Sequence, residues 1–272
     1  MRGNTSGVRG SWVTVLVAGS LLAGCSAQDA EGGPSGRTAS PSRGASQEAE
    51  ASPSVGSTDA SVFTPDAALV PRTPESGQRL ADSVVLAPSD WGRGFVAQKP
   101  AGSTPGTWAV LDGSCRWQRE KLPRGVLGSV SHYSRLSASG GKGAVKVTAA
   151  ATVHGSALSA DEQLSTTLEE VLRCPEQQPR ADERITGLMS LGTPFGAREQ
   201  QYADDSVLEA GDYVEKDGDS QPYRWMVARL GTVVVAVSVT GAEGRTQQEL
   251  DQLGTSALAQ MLTRVQQRLK GK

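Results

Sequence analysis

Between residues 223 and 240 the chain carries two β-rich runs, 223–230 and 232–240, on either side of Gly231, and the second is dominated by valine. β-branched residues suit a pleated, buried surface, and a single glycine between such runs marks a tight hairpin turn. A strand that is apolar on both faces must lie inside a sheet, so this stretch predicts a central, buried hairpin around which the rest of the domain is built.

Upstream, Val145, Val147, Ala149, Ala151 and Val153 alternate with Lys146, Thr148 and Thr152. Period two with one polar side predicts a strand of a sheet buried on one face, and the Gly-Gly-Lys-Gly at 140–143 supplies the preceding turn. Shorter β-type runs occur at 94–98, 108–115, 126–136, 184–191, 199–205 and 207–215. Three helices are signalled. Thr73-Pro74-Glu75 offers an N-cap, a proline at the first helical position and an early acid, with Leu80 and Val84 four apart, and 86–91 ends that helix. Ser159 and Glu162 have capping-box spacing before Leu164, Leu168, Val171 and Leu172, a second helix that ends at Cys174-Pro175. Thr246 and Glu249 repeat the pattern before Leu250, Leu253, Ala257, Met261, Val265 and Leu269, a long C-terminal helix able to cover one sheet face. Strand runs joined by hairpins more often than by helices predict an α+β fold: a twisted antiparallel sheet packed by two or three helices.

The only long apolar run is N-terminal. Residues 1–24 hold Arg2 and Arg9, no acid, and a hydrophobic run from Trp12 to Ala23 that is too short for a stable membrane span. Leu22-Ala23-Gly24-Cys25 resembles the lipobox of bacterial lipoproteins, which implies cleavage before Cys25 and acylation of its thiol. Two or more acyl chains hold a protein on a bilayer where one binds only marginally, so the resemblance implies a lipid-anchored protein on the extracytoplasmic face of the cell membrane. Residues 25–72 are dominated at first by Ser, Ala, Gly and Pro, and Phe63, Leu69 and Val70 follow without helical or strand period. Such a stretch predicts a disordered tether reaching roughly 35–40 Å. The folded part is expected over 73–272 as a single extracytoplasmic domain.

With Cys25 set aside as the acylated residue, Cys115 and Cys174 remain, and exported thiols normally pair. Closing a loop of about 60 residues is worth about 4 kcal/mol on the chain-entropy account. A metal or nucleophilic role for either thiol lacks the neighbouring Cys or His it would need.

A formal charge of −2 from 27 basic and 29 acidic residues provides no field for nucleic acid, and loss of Arg2 and Arg9 makes the exported chain more acidic still. Only His132 and His154 could act as an imidazole base; His132 sits in a polar alternating run, and His154 is expected at a strand end facing solvent. No Gly-x-Ser-x-Gly elbow is present, Gly140 to Gly143 lacks the spacing of a phosphate loop, and the acidic stretch 204–219 lacks the closing Glu of a calcium loop. No cofactor is implied. Trp91, Trp108, Trp117 and Trp225 are candidates for core or for a ligand groove, with Trp91 and Trp225 the preferred groove positions.

The segment Tyr223-Arg224-Trp225-Met226-Val227-Ala228-Arg229-Leu230-Gly231, followed by the valine strand and the capped helix, resembles the PknH-type extracellular sensor domains of actinobacterial receptor kinases and lipoproteins. Twenty Arg against seven Lys, with one Asn and one Ile, fit the GC-rich codons of such a source. The resemblance implies an antiparallel sheet packed by helices and a ligand-sensing role in a cleft. Those domains commonly carry two disulfides, whereas this chain has cysteines for one. The expectation is a non-catalytic ligand-binding or sensor lipoprotein whose partners are the membrane and an unknown small molecule. A module docking another envelope protein is the alternative, and an enzyme with an unrecognised site is a more distant one.

Overall fold

A computed structural model describes residues 63–271; the leader, Cys25 and most of the tether lie outside them. The domain is α+β. Its frame is one eight-stranded, wholly antiparallel, curled sheet made from β1 (Phe95–Gly102), β4 (Val126–Leu136), β5 (Val145–His154), β6 (Gln177–Arg180), β7 (Glu183–Gly192), β8 (Asp205–Glu215), β9 (Gln221–Leu230) and β10 (Val233–Thr240). Their order is β1-β4-β5-β10-β9-β8-β7-β6, so the valine strand β10 lies centrally, against β5 on one edge and β9 on the other. The turn from β9 to β10 is two residues long, with Gly231 at φ 59°, a left-handed conformation that glycine adopts without steric cost. Between β1 and β4 the chain leaves the sheet as a separate hairpin, β2 (Thr107–Leu111) and β3 (Trp117–Lys121).

The pleat divides the side chains between two faces. Val233, Val235, Val237 and Val239 of β10, with Val145, Val147 and Ala149 of β5, form the main core beneath α1 (Pro74–Val84) and α3 (Gln247–Leu269). Leu80 and Val84 come from α1; Leu258, Met261 and Leu262 come from α3. Helix α1 reaches the sheet closely because glycine faces it: a Cβ on Gly77 would stand 2.4 Å from that of Leu127 on β4. On the opposite face, Ala160 and Leu164 of α2 (Ala157–Arg173) cover Val207, Val227, Val234 and Ala236. None of the described helices is long and apolar enough to cross a membrane.

Several local expectations are corrected. Residues 108–115 do not form one strand. The Asp112 carboxylate accepts the backbone N–H groups of Ser114 and Arg116, folding the chain back so that Trp117–Lys121 pairs with Thr107–Leu111. The run 199–205 is not a strand of its own: 199–201 end a 3₁₀ segment, Gly196–Gln201, Tyr202 stacks on Phe195 with ring centroids 4.9 Å apart, and β8 begins only at Asp205. The cap of helix α2 lies three residues earlier than expected: the Ser156 hydroxyl accepts from the Ser159 N–H at 3.1 Å, and Leu168 and Leu172 lie exposed. Residues 63–72, expected in the tether, lie against the domain. Phe63 packs on the core, Pro71 is buried and the Asp66 N–H donates to the Leu269 carbonyl at 2.8 Å. These contacts are single and aperiodic, so no helical or strand pattern announces them.

Candidate ligand-binding site

The polar side of β5 does not face bulk solvent. Lys146, Thr148 and Ala150 point, with Ser238 of β10, Tyr223 and Trp225 of β9 and Tyr133 of β4, into a cavity of ≈ 440 Å³. The sheet curls around this space, so Gln98 of β1 and Ile185 of β7 lie at opposite walls, and every strand of the domain contributes lining. Trp117 and Arg119 of β3 line it from the hairpin side. A recess of ≈ 70 Å³ adjoins it, sharing Trp117 and Trp225 and bounded also by Trp108 and by Gln163 of α2. Mostly apolar walls with a few converging polar groups are the usual character of a small-molecule site.

The hairpin is fastened where α2 ends. Cys115, in the turn from β2 to β3, stands at disulfide distance from Cys174, the residue capping α2, with Cα atoms 5.5 Å apart. Around this link the Gln178 N–H donates to the Cys115 carbonyl at 2.9 Å, Trp117 Nε1 donates to Gln177 Oε1 at 2.8 Å, and Arg173 Nη1 donates to the Asp112 carbonyl at 3.1 Å. Trp117 is thereby held 6.3 Å, centroid to centroid, from Trp225.

Charge in the cavity is unevenly matched. Lys146 bonds Glu215 and lies 3.6 Å from Glu183, which also pairs with Arg180 at 2.7 Å. The Tyr213 hydroxyl lies 3.3 Å from both Lys146 Nζ and Glu215 Oε1, and its acidity is suppressed by burial first and by the two glutamates second. Burial also holds the Arg119 guanidinium below its ordinary pKa, with Tyr133 beside it acting in the opposite sense. Deeper under α2, Glu209 of β8 is 2% exposed, its Oε1 has no partner, and its pKa is raised to about 8 by burial and by Glu170. Glu170 itself is raised to about 7 by burial, against the pull of Arg173.

Of the two tryptophans assigned to a groove, Trp225 lines the cavity. Trp91 lies in the main core on the other face, 6.1 Å from the Phe95 ring, on a segment packed against α3, β1 and β4. Neither histidine lines the cavity. His132 donates through Nδ1 to the Leu86 carbonyl at 3.0 Å, while His154, expected at the surface, is 3% exposed with Nε2 2.7 Å from Gln163 Oε1. α2 folds back over the strand end and covers it. In the acidic stretch, Asp217 and Asp219 are exposed between β8 and β9, whereas Asp204 binds Arg229 at 2.9 Å. Among the described residues, no group of three or more His, Cys, Asp or Glu is arranged to hold a metal ion. Arg119, Tyr133 and Tyr223 are lining residues that sequence patterns miss. Trp225 and Trp117, named as groove candidates, and the Lys146/Thr148 alternation were the sequence signals for this face, and that alternation could equally have faced water.

No family model matches the chain, and no curated protein matches it. Among solved structures, an uncharacterised protein from Mycobacterium smegmatis superposes with a TM-score of 0.33 at 9% identity, covering 64% of this chain and 92% of that one. A protein of unknown function from Pseudomonas aeruginosa gives 0.26 at 11% identity, covering 53% and 85%. Both likenesses are too remote to carry a functional argument.

Proposed function

We propose that this protein is a lipid-anchored extracytoplasmic lipoprotein whose domain binds a small molecule in the cavity under the β2–β3 hairpin without transforming it. The observation that carries the reading is the lining itself: all ten strands contribute to one aromatic and polar space, and the hairpin that closes it is fastened by Cys115 and Cys174. Sheet residues turned toward such a space are placed for recognition rather than packing. The lipobox-like Leu22–Cys25 and the tether support the anchored placement, and the resemblance of 223–231 to PknH-type sensor domains supports a sensing role. Binding without catalysis fits a lining in which neither histidine takes part.

A second reading has an observation of its own. Leu158, Leu168 and Leu172 form an exposed stripe on one side of α2, with Leu172 84% exposed, and such a stripe could dock an envelope protein.

Thr148→Trp separates the two. Thr148 faces the cavity between Tyr133 and Ser238, while its neighbours Val147 and Ala149 face the core, so an indole at this position occupies the middle of the cavity and leaves the core untouched. In a thermal-shift screen of a metabolite library, compounds that stabilise the wild type are expected to lose their effect on Thr148→Trp. A stabilising compound that acts equally on both proteins would contradict the cavity reading, and replacement of the α2 leucines should leave the shifts unchanged.

A further inference from the structure

We infer that the ligand of this cavity is a small organic acid, an anionic group carried on an apolar body, with the anion received by Arg119; the inference rests on the reading above that the cavity is the binding site. Arg119 spends its donors on neutral oxygens: Nε on Thr107 Oγ1 at 3.0 Å, Nη2 on the Thr107 carbonyl at 2.7 Å, and Nη1 on Ser131 Oγ at a long 3.4 Å. Among the described residues no carboxylate stands within ion-pair distance of it. The other two cations of the lining are engaged differently. Lys146 and Arg180 share Glu183, and Lys146 also holds Glu215.

Three cations thus meet two carboxylates, and the surplus charge sits on Arg119 in a chain whose overall charge is −2. A half-buried guanidinium without a counter-ion is costly, and a bound anion removes that cost while using the planar fork that suits carboxylate, sulfonate or phosphate oxygens. The hydrogen bonds to Thr107 hold the guanidinium in place, so little ordering remains to be done on binding. Beside it, Trp117 and Trp225 offer the two aromatic surfaces that an apolar body would cover. A volume of ≈ 440 Å³ accommodates a compact acid of this kind.

Two fluorescent probes that share one body test this on the full chain: anilinonaphthalene sulfonate and its uncharged parent, phenyl-naphthylamine. The sulfonate is expected to bind at one site per chain, about tenfold or more tighter than the parent, as a charge-assisted hydrogen bond implies. Added salt should weaken the sulfonate alone. Arg119→Gln should bring the sulfonate down to the affinity of the parent and leave the parent unchanged, while Arg119→Lys should keep most of the preference. Equal affinity of the two probes for the wild type, no binding of either, or a sulfonate preference that survives Arg119→Gln would overturn the inference. Should Arg119→Gln fail to fold, the salt dependence and Arg119→Lys decide the matter. Thr148→Trp keeps the underlying reading separate: binding of both probes that survives it places them elsewhere and refutes the cavity. Binding that it abolishes, combined with indifference to Arg119→Gln, refutes the acid and leaves the cavity standing.

Discussion

Glu209 carries a carboxyl that the fold keeps from water, opposite Trp225 on β9 and near Glu170 of α2. Its folded pKa of about 8 lies above the ordinary 4.5, so the folded state holds a proton that the unfolded state has released. Its contribution is therefore complete below about pH 4.5 and is lost as the pH rises through about 8; Glu170, raised to about 7, acts in the same direction. Glu209→Gln keeps the shape without the ionisable proton. It is expected to flatten the fall in melting temperature between pH 5 and pH 9 and to stabilise the protein at pH 9 by about 1–3 kcal/mol, the usual cost of a buried unsatisfied polar group. Identical pH profiles for the two proteins would remove Glu209 from the account. In the sequence it belongs to an acidic stretch that suggests a solvated hairpin tip, and that description suits Asp217 and Asp219. What separates Glu209 from them is its place on the covered side of β8 with Val207, which depends on where α2 lies and so is not legible locally.

At the scale of elements, the β2–β3 hairpin is tied to the rest mainly through its turn. Apart from the Cys115–Cys174 link, it is held by the Gln178 and Arg173 hydrogen bonds, by Trp117 and by the long Arg119–Ser131 hydrogen bond. Replacing both cysteines by serine is expected to lower stability by about 2–4 kcal/mol, since the link closes a loop of 59 residues. It should also weaken binding of any cavity ligand, because Trp117 and Arg119 ride on the freed element. Calorimetric unfolding and a binding titration on the same preparation check both effects; unchanged affinity would mean that the hairpin is not part of the site. The pairing was legible because two thiols are left once Cys25 is set aside. The partner strand was not: Trp117-Gln118-Arg119-Glu120-Lys121 has no apolar alternation, and its strand conformation comes from pairing with Thr107–Leu111. Strand β6, with Pro179 inside it, is hidden for the same reason; it is fixed by pairing with β7 at the sheet edge and by the hydrogen bonds of Gln177 and Gln178 to the hairpin.

At the scale of the molecule, the valine hairpin, the alternation of β5 and the long capped helix α3 were all readable, because each buries a periodic apolar surface. The curl of the sheet was not, since it depends on pairing between strands far apart in sequence, such as β5 with β10. The sequence expectation of anchoring belongs to this scale too: Cys25→Ser is expected to leave the protein unprocessed or released, as fractionation of membranes would show, and a variant processed and membrane-bound like the wild type would contradict it. The cavity under the hairpin is proposed to hold a small molecule, and that proposal also concerns the whole molecule. It is tested most directly by native mass spectrometry of the full chain and of Thr148→Trp, each purified from its own source in parallel. A discrete mass retained by the wild type, lost on denaturation and missing from the variant is expected; the same mass retained equally by both proteins would rule out the cavity as its binding site.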